Sequence, residues 1–139
     1  MKSKLILYQL FFLFISLNAN SQVGCVSGNC ENGEGNYISE EVGDKYFGHF
    51  MNGKFNGDGT YIWTTGEKYS GEFKNSQFNG DGTYTWINGD KYSGKYKDGI
   101  REGQGVITWA NGTKYDGRWV DDRMQGQCIY TNSNNATWT

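Results

Sequence analysis

Polar and apolar residues alternate one by one through most of the chain after residue 45. In the segment 69–74, for example, tyrosine, glycine and phenylalanine fall on one face, and serine, glutamate and lysine on the other. A period of two is the pattern of a β-strand with one buried face. We therefore predict an all-β chain with strands near 46–51, 57–63, 69–74, 80–86, 92–97, 103–109, 115–120 and 126–131.

The alternating segments recur with a fixed period of 23 residues. A period of this size is typical of a stacked array in which no unit buries its apolar face alone. Asn-Gly dipeptides such as Asn88-Gly89 separate the segments and favour tight hairpin turns. The pattern predicts antiparallel hairpins in one elongated, twisted and curled single-layer sheet. Its units are a leader with a degenerate first copy (22–45), four repeats (46–68, 69–91, 92–114 and 115–137) and the start of a truncated unit at 138.

Glycines lie on the same face as the aromatic residues, where they weaken a strand unless they have a packing role. We expect a ring from the neighbouring strand to cover each bare backbone. So many rings on one side of a flat sheet would be insoluble, so the sheet must curl about that face or be covered.

Each repeat begins with Tyr-x-Gly-x-aromatic, as in Tyr69 to Phe73, and continues with a Gly-x-Gly strand, as in Gly80 to Trp86. This pattern resembles the membrane occupation and recognition nexus (MORN) repeat. The resemblance implies an elongated antiparallel sheet with a groove, used as a scaffold for proteins or lipid headgroups, and it implies no enzyme. In the fourth copy Cys128 replaces the second glycine and Asn132 replaces the tryptophan, so we expect that unit to pack less well.

Aromatic side chains on the glycine face are the candidate ligand site. We expect them to line a groove that receives an extended peptide or a carbohydrate-like ligand, with a protein as the expected partner. The predicted groove residues are Tyr46, Phe50, Tyr61, Trp63, Tyr69, Phe73, Tyr84, Trp86, Tyr92, Tyr96, Trp109, Tyr115 and Trp119.

Two alternatives to this binding scaffold stay open. In the first, open strand edges pair with a second copy or with a larger surface assembly. In the second, lysines at the repeat period (Lys45, Lys68, Lys91 and Lys114) tether the chain to anionic membrane headgroups. An acid precedes three of these lysines, and this disfavours the tether.

Enzymatic chemistry is not indicated by the sequence. Asp58 and Asp81 occupy one repeat position and read as solvated carboxylates rather than as a catalytic pair. His49 is the single histidine, which excludes most nucleophile–base pairs and zinc sites. We predict no catalytic residues, no metal and no cofactor.

The beginning of the chain reads as an export signal. Lys2 and Lys4 precede an apolar run, 5–17, and small polar residues lead to a cleavage site after Ser21, so 1–21 is the predicted signal peptide. We expect a periplasmic, outer-surface or secreted protein. A lipoprotein site at Cys25 is the less favoured alternative. In an oxidising compartment Cys25 and Cys30 would form a disulfide, the alternative being two free thiols.

Charge excludes one class of partner. The sequence has 13 Lys and Arg against 15 Asp and Glu, and without Lys2 and Lys4 this becomes 11 against 15, a net charge near −4. Nucleic-acid binding needs a basic footprint, and this chain has none overall. We therefore predict no nucleic-acid partner.

Overall fold

Each strand pairs with the strand that follows it in the sequence, so successive hairpins build one open antiparallel sheet in the order β1 to β11. The computed structural model describes residues 24–139, and the predicted signal segment 1–21 lies outside them. The strands are β1 (Gly24–Gly28), β2 (Asn32–Ile38), β3 (Lys45–Met51), β4 (Lys54–Ile62), β5 (Lys68–Lys74), β6 (Gln77–Thr85), β7 (Lys91–Lys97), β8 (Ile100–Thr108), β9 (Lys114–Val120), β10 (Arg123–Thr131) and β11 (Thr137–Trp138). The all-β prediction is confirmed. Residues 24–139 include no helix long and apolar enough to cross a membrane.

The second strand of each hairpin begins three residues earlier than predicted: β4 begins at Lys54, not at 57. The reason is the turn. Asn52 and Gly53 both have positive φ, 51° and 69°, so the hairpin closes in two residues and Met51 pairs with Lys54. Strands β1, β2 and β11 were not predicted. The segments of β1 and β11 are short and lack the alternating pattern, and that of β2 lies in the leader with the degenerate first copy.

A bulge interrupts each hairpin and explains the first glycine of every Gly-x-Gly motif. In β3 and β4, Gly48 pairs with Gly59 but Phe50 pairs with Phe55, so β4 holds extra residues around Gly57. Gly57 has φ +79°, a backbone conformation that glycine adopts without steric cost. Gly57 is therefore needed for its backbone conformation. The alternating pattern had instead predicted that it lies on the face covered by rings.

The second glycine of the motif makes room for a tyrosine ring, as predicted. A Cβ atom at Gly82 would lie 2.6 Å from Cε2 of Tyr69, which is far inside van der Waals contact. Because these glycines let the rings lie flat on the sheet, Tyr46, Tyr69 and Tyr92 are fully buried. Each of the first two stacks on a phenylalanine, Phe55 or Phe78, with ring centroids 3.8 Å apart.

The third repeat replaces that phenylalanine with Arg101. Its guanidinium lies 4.2 Å from the ring centre of Trp119 and 5.6 Å from that of Tyr92. Nε donates to Oδ1 of Asp122 at 2.9 Å. A cation held between two aromatic faces keeps the layered packing of the core where the phenylalanine is lost.

Cys128 occupies the glycine position of the fourth repeat, where the sequence predicts poorer packing. Tyr115 there keeps 6% of its surface exposed, whereas Tyr46, Tyr69 and Tyr92 have none. Its hydroxyl bond to the Arg118 carbonyl is 3.2 Å, against 2.9 Å for the Tyr69 bond. The other two cysteines, Cys25 and Cys30, form a disulfide that ties β1 to the turn before β2.

Candidate ligand groove

The thirteen predicted groove residues separate into two sets by burial. Eight are buried in the core and present little surface to a ligand: Tyr46, Phe50, Tyr69, Phe73, Tyr92, Tyr96, Tyr115 and Trp119. Five are partly exposed and adjoin that core. We call these five the aromatic row: Tyr61, Trp63, Tyr84, Trp86 and Trp109. The alternating pattern places both sets on one face, so it did not distinguish them.

Each tryptophan of the aromatic row is fixed as the first residue of a turn between repeats. The N–H of Trp86 donates to the Asp90 carbonyl at 2.9 Å, and the Trp86 carbonyl accepts from Gly89 N–H at 3.0 Å. Trp63 and Trp109 make the same pair of bonds in their own turns. The repeat thus places one indole at the end of every second strand.

The rings of the row are tilted against one another and do not stack flat. Trp63 lies between Tyr61, with centroids 4.7 Å apart at 58°, and Tyr84, 5.2 Å away at 45°. Tyr84 and Trp86 are 4.8 Å apart at 49°. Tilted rings form ridges and hollows, which suit contact with the side chains of an extended ligand.

Two rings that the sequence analysis did not include extend the row. Tyr130 lies 6.4 Å from Trp109, and Trp138 lies 5.8 Å from Tyr130, between ring centroids. Both are exposed, at 40% and 52%. Tyr130 occupies the repeat position of Tyr61 and Tyr84, and this was the signal that could have identified it. Trp138 occupies the repeat position of the buried Tyr115, so the period gives no such signal for it.

A buried carboxylate below the row holds the hydroxyl of Tyr61. Asp44 is buried, and its Oδ2 accepts from Tyr61 hydroxyl at 2.8 Å, while Oδ1 accepts from Thr64 N–H at 2.9 Å. Burial and, after it, the nearby charge of Glu67 raise the pKa of Tyr84 to about 12. The bond to Asp44 fixes the orientation of Tyr61.

The same carboxylates do not offset the repeating lysines, contrary to the sequence interpretation. Neighbouring residues of a strand point to opposite faces. Asp44 contacts Tyr61 on the aromatic face, whereas Lys45 is exposed on the polar face, and Lys68, Lys91 and Lys114 repeat its placement. None of the four lysines belongs to an ion pair within residues 24–139.

The acids that share the polar face with these lysines lie further along the strands, and two of them form ion pairs with other residues. Asp81 pairs with Lys95 at 2.6 Å, and Glu34 with His49 at 3.3 Å. A shallow depression of about 390 Å³ lies between His49, Asp58, Thr60 and Ser70. In the described part of the chain, no group of three or more His, Cys, Asp or Glu side chains is placed to hold a metal ion.

Comparison with known proteins agrees with the repeat units read from the sequence. The family model described as MORN repeat matches residues 46–68, 69–91, 92–114 and 115–137. No curated protein matches the chain.

Proposed function

The chain belongs to the MORN-repeat family, and we propose that it is a non-enzymatic scaffold that binds an extended protein segment along the aromatic row. The observation that carries the proposal is the tilted, partly exposed run of rings from Tyr61 to Trp86, fixed by backbone turns and, at Tyr61, by the buried carboxylate of Asp44. Rigid aromatic side chains supply contact area at little cost in conformational entropy, which favours binding.

Further features support a passive scaffold outside the cytoplasm. The core consists of rings packed on glycines, and its tyrosines use their hydroxyls to close bulges rather than to contact solvent. A disulfide between Cys25 and Cys30 suits an oxidising compartment, so we propose that the protein is exported.

Selection from a random peptide display library tests the proposal directly. We expect selected peptides to bind the wild-type chain and to lose at least tenfold in affinity to the Trp63→Ser and Trp86→Ser variants. The matched control is Thr85→Ser, which changes the strand residue next to Trp86 on the polar face. Peptides that bind all three variants alike would show that the row is not the site. Failure to select any peptide, with a dimer seen by sedimentation, would favour self-association through the sheet edges instead.

A further inference from the structure

A pocket interrupts the aromatic row beside Trp86. In the first two repeats the position after Gly-x-Gly-Thr is tyrosine, Tyr61 and Tyr84, and Trp63 packs on Tyr84. The third repeat has Ile107 at this position, so the ring that would pack against Trp86 is missing. A pocket of about 310 Å³ opens there, lined by Glu67, Trp86, Ile87, Asn88, Asp90 and Ile107. We call it the Ile107 pocket.

The same replacement removes a hydrogen-bond donor from a carboxylate. Asp90 is the repeat counterpart of Asp44, whose Oδ2 accepts from the Tyr61 hydroxyl. Asp90 keeps the backbone part of this arrangement, because its Oδ1 accepts from Ala110 N–H at 2.8 Å as Oδ1 of Asp44 accepts from Thr64 N–H. Its Oδ2 accepts from Asn88 Nδ2 at 2.9 Å, where Oδ2 of Asp44 accepts from a tyrosine hydroxyl. It lacks the tyrosine, because an isoleucine cannot donate. The pocket therefore combines an indole face, two isoleucines and two carboxylates, of which Asp90 has the side-chain amide of Asn88 in place of a tyrosine hydroxyl.

This chemistry fits a long basic side chain with an apolar stem. A guanidinium stacks on an indole and donates to a carboxylate at the same time, and it is more weakly hydrated than an ammonium. The aliphatic part of the bound side chain would lie between Ile107 and Ile87, which is 73% exposed. An arginine would thus restore the flat polar group that the missing tyrosine provides elsewhere.

The spacing of the tryptophans indicates the conformation of the chain that carries this arginine. Trp63, Trp86 and Trp109 recur every second strand, so they are about 9.6 Å apart, two strand spacings of about 4.8 Å. A polyproline II helix has three residues per turn and rises about 3.1 Å per residue, which gives a repeat of about 9.3 Å. A strand repeats its side chains every two residues, about 6.7 Å, and fits this spacing poorly.

The indole N–H groups of the aromatic row can donate hydrogen bonds to the same kind of ligand. Polyproline II segments make no internal hydrogen bonds, so their carbonyls are available. Among the tryptophans of residues 24–139, Trp119 donates its indole N–H to a protein acceptor, the Gly105 carbonyl at 3.1 Å. Trp63, Trp86 and Trp109 make no such bond within the described chain, and their N–H groups suit ligand carbonyls.

We propose that the aromatic row binds a proline-rich segment in the polyproline II conformation and that the Ile107 pocket receives one arginine of that segment. This inference rests on the proposed scaffold function and specifies its partner. Aromatic-lined grooves are a general means of binding such helices, because the ligand is already ordered before it binds.

Fluorescence anisotropy with defined peptides tests the proposal. The probe is a labelled proline-rich decamer with one central arginine. Its controls are the same decamer with glutamine in place of arginine, and a Gly/Ser decamer that keeps the arginine. We expect the probe to bind about tenfold more tightly than either control, the equivalent of about 1.4 kcal/mol.

Variants assign the effect to the pocket. Ile107→Tyr supplies the ring and hydroxyl of the other repeats, so it should fold, fill the pocket and lower probe affinity at least tenfold. Thr85→Ser, on the opposite polar face, is the control and should bind normally. Asp90→Asn, which keeps the turn acceptor, should remove the preference for arginine over glutamine. The proposal is wrong if the probe binds no better than the Gly/Ser peptide, or if Ile107→Tyr and Asp90→Asn both leave binding unchanged. Selected library peptides that use the row without proline or arginine would overturn this inference and leave the scaffold function intact.

Discussion

The hydroxyl of Tyr69 donates a 2.9 Å hydrogen bond to the carbonyl of Glu72, three residues further along the same strand. The register of β5 against β6 passes from Gly71 to Phe73 and skips Glu72. The extra residues of the bulge lie on β6, so Glu72 has no partner across the β5–β6 ladder, and the tyrosine hydroxyl donates to its carbonyl. Tyr46, Tyr92 and Tyr115 make the same bond to the carbonyls of His49, Lys95 and Arg118. The geometry that the four repeats share thus depends on the tyrosine hydroxyl as well as on its ring.

Removing this hydroxyl alone should destabilise the sheet. We expect Tyr69→Phe to lower the free energy of unfolding by about 1–2 kcal/mol, because the Glu72 carbonyl then lacks its partner in a buried setting. Urea denaturation followed by tryptophan fluorescence measures the change. Tyr96→Phe is the matched control, since Tyr96 takes the place of Phe50 and Phe73, where a ring without hydroxyl packs normally. Equal losses in the two variants would contradict a specific role for the bulge bond.

A methyl group at the second glycine of a repeat should cost more. Gly82→Ala places Cβ 2.6 Å from the Tyr69 ring, so the ring must move, and we expect a loss of about 2–4 kcal/mol. Thr83 is a poor control, because its hydroxyl pairs with that of Ser93 at 2.9 Å. Thr85→Val, on the polar face opposite Lys68 and Lys91, should change stability by less than about 0.5 kcal/mol. A Gly82→Ala variant that melts like wild type would show that the ring is free to shift.

The sequence was sufficient to predict the sheet because every repeat presents the same alternation and the same turn dipeptides. It did not predict the bulges, since a strict period of two puts Gly57 and Gly59 on one face. Because of the bulge, Gly57 has a positive φ that glycine adopts easily, whereas Gly59 lies beneath the Tyr46 ring.

The candidate site was predicted too broadly for a related reason. Tyr46 and Trp63 both lie on the aromatic face, but the tyrosine rests on glycines in mid-strand while the tryptophan stands in a turn at the strand end. Burial therefore depends on whether a ring lies over the glycines, which the alternation does not report: Tyr46 is fully buried, whereas its cross-strand partner Tyr61 is only partly buried. The Ile107 pocket was also missed, because an isoleucine satisfies the apolar pattern as well as a tyrosine does.

The ion pair between Arg101 and Asp122 should make stability depend on acid pH. Burial opposes ionisation of Asp122, but the hydrogen bonds and charge of Arg101 outweigh it and lower its pKa. A lowered folded-state pKa stabilises the fold above the ordinary value of about 3.9, and the gain is lost as pH falls through the lowered pKa.

Asp122→Asn removes the charge while it keeps an oxygen acceptor and tolerates the φ of +63°. At pH 7 we expect a loss of about 0.5–1 kcal/mol, a modest value because Asp122 is partly exposed and solvent screens the pair. The difference from wild type should vanish as pH falls through the lowered pKa, as thermal melts at several pH values would show. Asp121→Asn, with similar backbone geometry and no described ion pair, should show no such pH dependence. A loss that persists in acid would mean that Asp122 acts through packing.

Binding to anionic vesicles should be too weak to matter at physiological salt, although the acids before the lysines do not cancel them. Four exposed lysines contribute about 1 kcal/mol each near an anionic surface. Together they supply about 4 kcal/mol of binding free energy, which corresponds to a dissociation constant near 1 mM. Glu72 shares the polar face with Lys68, about 13 Å along the strand, and would be repelled by the same surface. Screening over about 8 Å weakens both effects.

We therefore expect vesicles rich in phosphatidylserine to sediment the protein at low ionic strength and to release it at physiological salt. Lys68→Gln, Lys91→Gln and Lys114→Gln in one variant should abolish the binding at low salt, whereas Lys54→Gln, Lys74→Gln and Lys97→Gln should reduce it less. Strong sedimentation at physiological salt that the first triple variant abolishes would establish the membrane tether as the better account, because only a lysine row that acts together could bind so tightly.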